Sequence, residues 1–144
     1  MLFDTSIKDK ETKRLINEAV GKPYNVVDMF FKGVGQIGSS RMEVIEHSKL
    51  FDRVMRQRKQ AVFANIALRP KGIIVVFFIR TSNYSWVIPF QYLSIFKTDI
   101  LVIHGQGEFL KLKITGDQNR KILDKILELK NQYASGNYYG NYDH

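Results

Sequence analysis

The feature that most constrains this chain is a series of short apolar and alternating runs between residues 61 and 114, spaced by turn residues. Gly72 to Ile79 is the longest apolar stretch, rich in β-branched and aromatic side chains, and Arg80 stops it. Such a run suits a central strand. Arg69-Pro70-Lys71-Gly72 precedes it as a turn, proline presetting φ and glycine expected to take a positive φ, and Thr81-Ser82-Asn83 follows as another. Ala61 to Leu68, Tyr84 to Phe90, Tyr92 to Phe96, Ile100 to Ile103 and Glu108 to Ile114 read as further strands. Pro89 marks a strand end or bulge, and His104-Gly105-Gln106-Gly107 a hairpin loop. In the last strand Phe109, Leu110, Leu112 and Ile114 point mostly inward, and Lys111 and Lys113 outward. Met42 to Glu46 adds one more short strand. Strands at this spacing form a meandering antiparallel sheet or barrel rather than a parallel one.

Helical periodicity flanks the β region. Ile7 to Val20 places Ile7, Leu15, Ile16, Ala19 and Val20 on one face, and Gly21-Lys22-Pro23 ends the segment. From Ser48, an N-cap, Leu50, Phe51, Val54 and Met55 form an apolar stripe opposite Lys49, Arg53, Arg56 and Lys59, predicting a helix near 49–60. Asp117 caps a last helix to about Tyr133, with Ile122, Leu123, Ile126, Leu127 and Tyr133 buried and Arg120, Lys121, Lys125, Glu128 and Lys130 wet. Residues 134–144, rich in Gly, Asn and Tyr, read as a disordered tail, and residues 24–40 as an apolar segment followed by a flexible loop. The expected fold is therefore α+β and mainly β. It is a bent antiparallel sheet or partly open barrel of about 6–7 strands, capped by a C-terminal helix, with extra helices at the N-terminus and near 49–60. With 144 residues the chain is one domain, 1–133, with enough core to need no disulfide.

Several stretches are similar to the bacterial versions of the pleckstrin-homology-like domain. They are Gly72-Ile-Ile-Val-Val-Phe-Phe-Ile79 as a core strand and Trp86-Val-Ile-Pro-Phe-Gln-Tyr-Leu-Ser-Ile-Phe96 as an edge. Leu101-Val-Ile103, Glu108-Phe-Leu-Lys-Leu-Lys-Ile114 and the helix from Asp117 continue the likeness, which spans about 72–133. Residues 1–40 have no counterpart, and a helix near 49–60 would be an insertion. The resemblance implies a strongly bent sheet plugged at one end by the helix. It also implies a binding module for phosphoinositides, membranes or peptides rather than an enzyme. The basic loop that family lipid binders use does not align here, so no site residue is carried over.

Charge supplies the candidate site. Lys and Arg number 22 against 14 Asp and Glu, for a net charge of +8. Residues 41–71 hold eight of the cations (Arg41, Lys49, Arg53, Arg56, Arg58, Lys59, Arg69, Lys71) against Glu43, Glu46 and Asp52. Lys49, Arg53, Arg56, Arg58 and Lys59 are the expected anion- or partner-binding residues, facing an anionic membrane or protein surface. The same residues also suit a solvated face, and a nucleic-acid interface is the alternative. An enzyme with an unrecognised site is a further one. Aromatic residues Phe77, Phe78, Tyr84, Trp86, Phe90, Tyr92 and Phe96 suit core packing better than base stacking, because only Arg80 and Lys97 lie near them.

Other chemistries find little support. There is no cysteine, which excludes disulfides, thiolate nucleophiles and Cys-based metal sites. Gly33-Val-Gly-Gln-Ile-Gly38 spells a dinucleotide fingerprint but lacks the acid about 20 residues on, where Arg56-Gln57-Arg58-Lys59 stands. Glu43, Glu46 and His47 would meet on a helix, but His47, His104 and His144 form no ligand pair. No catalytic residue, metal or cofactor is expected, and self-association stays open. The N-terminus reaches an acid at Asp4 and no run is long enough to span a bilayer, so the expected compartment is the cytoplasm.

Overall fold

A computed structural model describes residues 1–25, 27 and 37–140. Eight strands form one antiparallel, unclosed sheet: β1 (Leu2–Asp4), β2 (Met42–His47), β3 (Phe63–Arg69), β4 (Gly72–Ile79), β5 (Ser82–Pro89), β6 (Leu93–Lys97), β7 (Ile100–Gly105) and β8 (Glu108–Lys113). Their order is β1-β5-β4-β3-β2-β8-β7-β6. Three α-helices lie among the described residues: α1 (Lys10–Val20), α2 (Asp52–Met55) and α3 (Gly116–Gly140). The architecture is α+β, mainly β, with a C-terminal helix.

Strand β2 divides the sheet. Met42 and Glu43 pair with β3, whereas Val44, Glu46 and His47 pair with β8, and the register shifts between Val44 and Glu46. A bulge bends a strand and increases its twist. The two halves thereby enclose one core, in which Phe77, Trp86 and Ile88 meet Leu101, Ile103, Leu110 and Leu112, with Ile122, Leu123 and Ile126 of α3. Gly105 shows how tightly the halves approach, since a Cβ there would sit 2.8 Å from Ile88 Cγ2.

The strand count exceeds the expected six or seven because Leu2–Asp4 pairs with β5 at the sheet edge. Three residues are too few to display a period, so only pairing reveals this strand. Helix α1 begins at Lys10, with the Asp9 carboxylate accepting from Glu11 N at 3.3 Å and Thr12 Oγ1 at 2.9 Å. These bonds hold the Asp9 carboxyl below its usual pKa, the Thr12 hydroxyl contributing most. Ile7 consequently falls outside the helix and is 82% exposed, not on a buried face, and Leu15 is exposed as well. The helix stops at Gly21, whose φ of +87° suits a residue without Cβ and whose N–H donates to Asn17 O.

The helix expected near 49–60 is much shorter. A 3-10 turn at Lys49–Phe51 leads into the four-residue α2, and the chain leaves the helix before Arg58 and Lys59. Two buried anchors, Phe51 and Met55, satisfy the core, and nothing beyond Met55 extends the apolar stripe. At the other end α3 runs past Tyr133 to Gly140, and no proline interrupts that stretch. The hairpin between β7 and β8 is only Gln106-Gly107, because His104 and Gly105 pair with Phe109 and Glu108. Phe109 turns to the outer face beside His104 rather than inward, as strand alternation requires once Leu110 and Leu112 are buried. Most of the glycine-rich segment at 24–40, including Gly33 to Gln36, lies outside the described residues, as does His144.

Candidate anion-binding surface

The basic segment is riveted at its start. Ser48 Oγ donates to Glu108 Oε2 and accepts from Phe109 N at 2.9 Å, while Leu50 N donates to the same carboxylate oxygen at 3.2 Å. A carboxylate so placed satisfies N–H and O–H donors that the start of a helical turn leaves without intrahelical partners. Phe51 then enters the core edge-to-face against Trp86, with centroids 5.1 Å apart, and also meets Phe77. The segment is fixed again at Val62, whose carbonyl accepts from Val44 N at 2.8 Å. Between these anchors residues 56–61 are all exposed.

Lys49, Arg53, Arg56, Arg58 and Lys59 are all exposed, and none makes an ion pair among the described residues. Arg56 Nε and Arg58 Nη1 each donate to a carbonyl of their own turn, Asp52 O at 3.3 Å and Met55 O at 3.2 Å. Structure divides this set. Arg58 and Lys59 border two hollows on either side of residues 58–62, whereas Lys49, Arg53 and Arg56 border neither. The larger hollow, about 370 Å³, has Glu43 and His47 in its walls. The smaller, about 90 Å³, is walled by Phe78, Ile79 and Arg80 and contains no acid.

Arg80 is the residue that local sequence reading missed as a member of this group. It occupies the first position of the two-residue turn between Ile79 and Ser82, with φ +58°. Glycine normally fills such a position, since a Cβ in the left-handed region costs about 1–2 kcal/mol. An arginine in place of glycine between two apolar strands was the available signal. Beside it Phe78 is 59% exposed, because the register Ala64↔Phe77 buries Phe77 and turns its neighbour outward. On the adjacent strand Phe63 is also exposed, with the Arg41 guanidinium 4.9 Å from its ring centroid. Cations and aromatic rings thus share one end of the outer sheet face.

The remaining candidates scatter. Glu43, Glu46 and His47 lie on a strand rather than a helix, and Glu46 is taken by Lys111 at 2.8 Å. His47 Nδ1 lies 3.1 Å from Ser48 O and 3.5 Å from Asp52. His104 sits between the rings of Phe96 and Phe109. No group of three or more metal-binding side chains converges among the described residues. Phe77, Tyr84, Trp86 and Phe90 are buried, whereas Phe78, Tyr92 and Phe96 are exposed. No helix among the described residues is long and apolar enough to cross a membrane. Searches of family models, curated proteins and solved structures return no match to this chain.

Proposed function

We propose that this chain is a non-catalytic binding module of pleckstrin-homology-like plan that docks on an anionic membrane surface. Arg58, Lys59 and Arg80 supply the attraction, and Phe78 enters the interfacial layer. One observation carries the reading: three cations without ion pairs among the described residues surround an acid-free hollow beside a phenylalanine that is 59% exposed. Water is a poor environment for that ring, and the headgroup boundary is a better one. Each cation near an acidic bilayer is worth about 1 kcal/mol. Lys49, Arg53 and Arg56 add long-range attraction from outside the hollow. The antiparallel strand order and the C-terminal helix that enters the core support the pleckstrin-homology-like plan.

The test is sedimentation with phosphatidylcholine vesicles, with and without phosphatidylserine. Binding is expected only to the acidic vesicles and should fall as salt rises. The combined variant Arg58→Glu, Lys59→Glu, Arg80→Glu should lose at least about a hundredfold in affinity, since removing three contributions of about 1 kcal/mol each amounts to that and the new carboxylates add repulsion. A parallel salt titration with single-stranded DNA and RNA supplies the contrast. Nucleic-acid binding without vesicle binding, or a variant that sediments like the parent, overturns the reading.

A further inference from the structure

A second feature lies over α1 and the C-terminal end of β3, apart from the Arg58–Arg80 surface. There an open cleft of about 550 Å³ is bordered by Ile7, Lys8, Lys10, Lys13, Ile16 and Arg69. Clefts of roughly 300–1,000 Å³ are the usual size for small-molecule sites. Its charge is one-sided, with four cations against the single carboxylate of Asp9, already engaged by Glu11 N and Thr12 Oγ1.

Arg69 is the unusual member. Its guanidinium is half-buried and donates through Nη1 to Asn17 Oδ1 at 3.1 Å and to Gly21 O at 2.7 Å, both neutral acceptors. No carboxylate pairs with it among the described residues. Burial alone pushes its pKa below the ordinary arginine value, the mark of a charge taken partly out of water without a counter-ion. A guanidinium in such a position is well suited to a carboxylate or phosphate oxygen pair. Apolar surface completes the cleft. Buried Ile16 lies in its wall, and Ile7, 82% exposed and outside both apolar clusters of the described residues, stands at its border with Pro23.

We infer that this cleft binds a small amphipathic anion, an aliphatic carboxylate whose head meets Arg69 and the lysines and whose tail runs along Ile7 and the exposed ring of Pro23. The inference is independent of vesicle binding, since it involves neither Arg58, Lys59, Arg80 nor Phe78.

The experiment titrates the full chain with decanoate, alongside decanol as a neutral analogue and inorganic phosphate as an anion without a tail. Calorimetry reads affinity, and amide chemical shifts read location. Decanoate should bind saturably, with shifts concentrated at Ile7, Lys8, Ile16 and Arg69. Decanol and phosphate should each bind at least about tenfold more weakly. Arg69→Gln should lose at least about tenfold in decanoate affinity. Because Arg69 also ties β3 to α1, the double variant Lys8→Glu, Lys13→Glu leaves that tie intact and should weaken decanoate by a similar factor. Lack of saturable decanoate binding overturns the site. So do decanol or phosphate binding as tightly, shifts clustered elsewhere, or unchanged affinity in the double variant.

Discussion

Strand β4 has two ends that face outward in different ways. Toward Gly72 its outer face is covered: Ile16 and Val20 of α1 pack on Ile74 and Val87 in a small second core. Burying apolar side chains of this kind is worth about 1.5–3 kcal/mol each. Toward Ile79 the same face carries Phe78, with Phe63 on the neighbouring strand, and both are exposed among cations. One end meets its hydrophobic demand with a helix, whereas the other leaves apolar surface open and surrounds it with charge. The contrast teaches that exposure at the second end is not a general property of this sheet face. A chain able to cover one end with an eleven-residue helix leaves uncovered the end where Arg58, Lys59 and Arg80 collect without an ion pair among the described residues.

The most damaging way to break the comparison is at the covered end. A Cβ on Gly72 would run into the Ile88 carbonyl oxygen and lie 2.6 Å from Val20 Cγ1 and 2.9 Å from Pro89 Cα. Two of those neighbours are backbone and cannot swing aside, so lack of space, and not the positive φ expected of the turn, requires glycine here. Gly72→Ala should therefore cost about 3 kcal/mol, the upper part of the range for overpacking, visible as an earlier midpoint in urea unfolding. Parent-like stability would mean that α1 and the sheet are less closely apposed than described.

At the open end the expected effect is smaller and has the opposite sign. Arg80→Gly relieves a left-handed conformation and should leave the fold at least as stable, by up to about 1 kcal/mol, while weakening attachment to acidic vesicles. Loss of stability without loss of attachment would make Arg80 a structural residue. Least in size is an acid effect at the covered end. The Asp9 carboxyl has a lowered pKa in the folded state, so its contribution is present above the unfolded carboxylate pKa and disappears as pH falls through the folded value. Circular dichroism should show part of the helical signal fading at the acid end of that window. Asp9→Ala should remove this component without changing the response of the sheet.

Much of the β architecture was legible in residue order. The alternation in Glu108 to Ile114 and the uninterrupted run from Gly72 to Ile79 define strands through a period of two and through apolarity alone. The Gly21-Lys22-Pro23 stop worked for the same local reason. Reading failed where local pattern and tertiary demand diverged. The apolar stripe over Leu50 to Met55 fits a longer helix, but once Phe51 and Met55 are seated the chain can leave, and it does. Leu2–Asp4 is a strand only because β5 offers it an edge. Phe77 and Phe78 are chemically identical neighbours, and only the facing side of the sheet decides that one is core and the other is surface.

The amino-acid order by itself determined which seven segments from Met42 onward are strands, which segment is cationic, and that cysteine chemistry is absent, because these depend on interactions within a few residues or on composition. Tertiary structure alone decided that Arg80 joins Arg58 and Lys59, that Arg69 lies half-buried beside α1, and which end of β4 is covered. Those outcomes rest on strand register and helix docking between residues far apart in the chain. A one-residue change of register in β3 or β4 would have turned Arg69 and Phe78 to the opposite face.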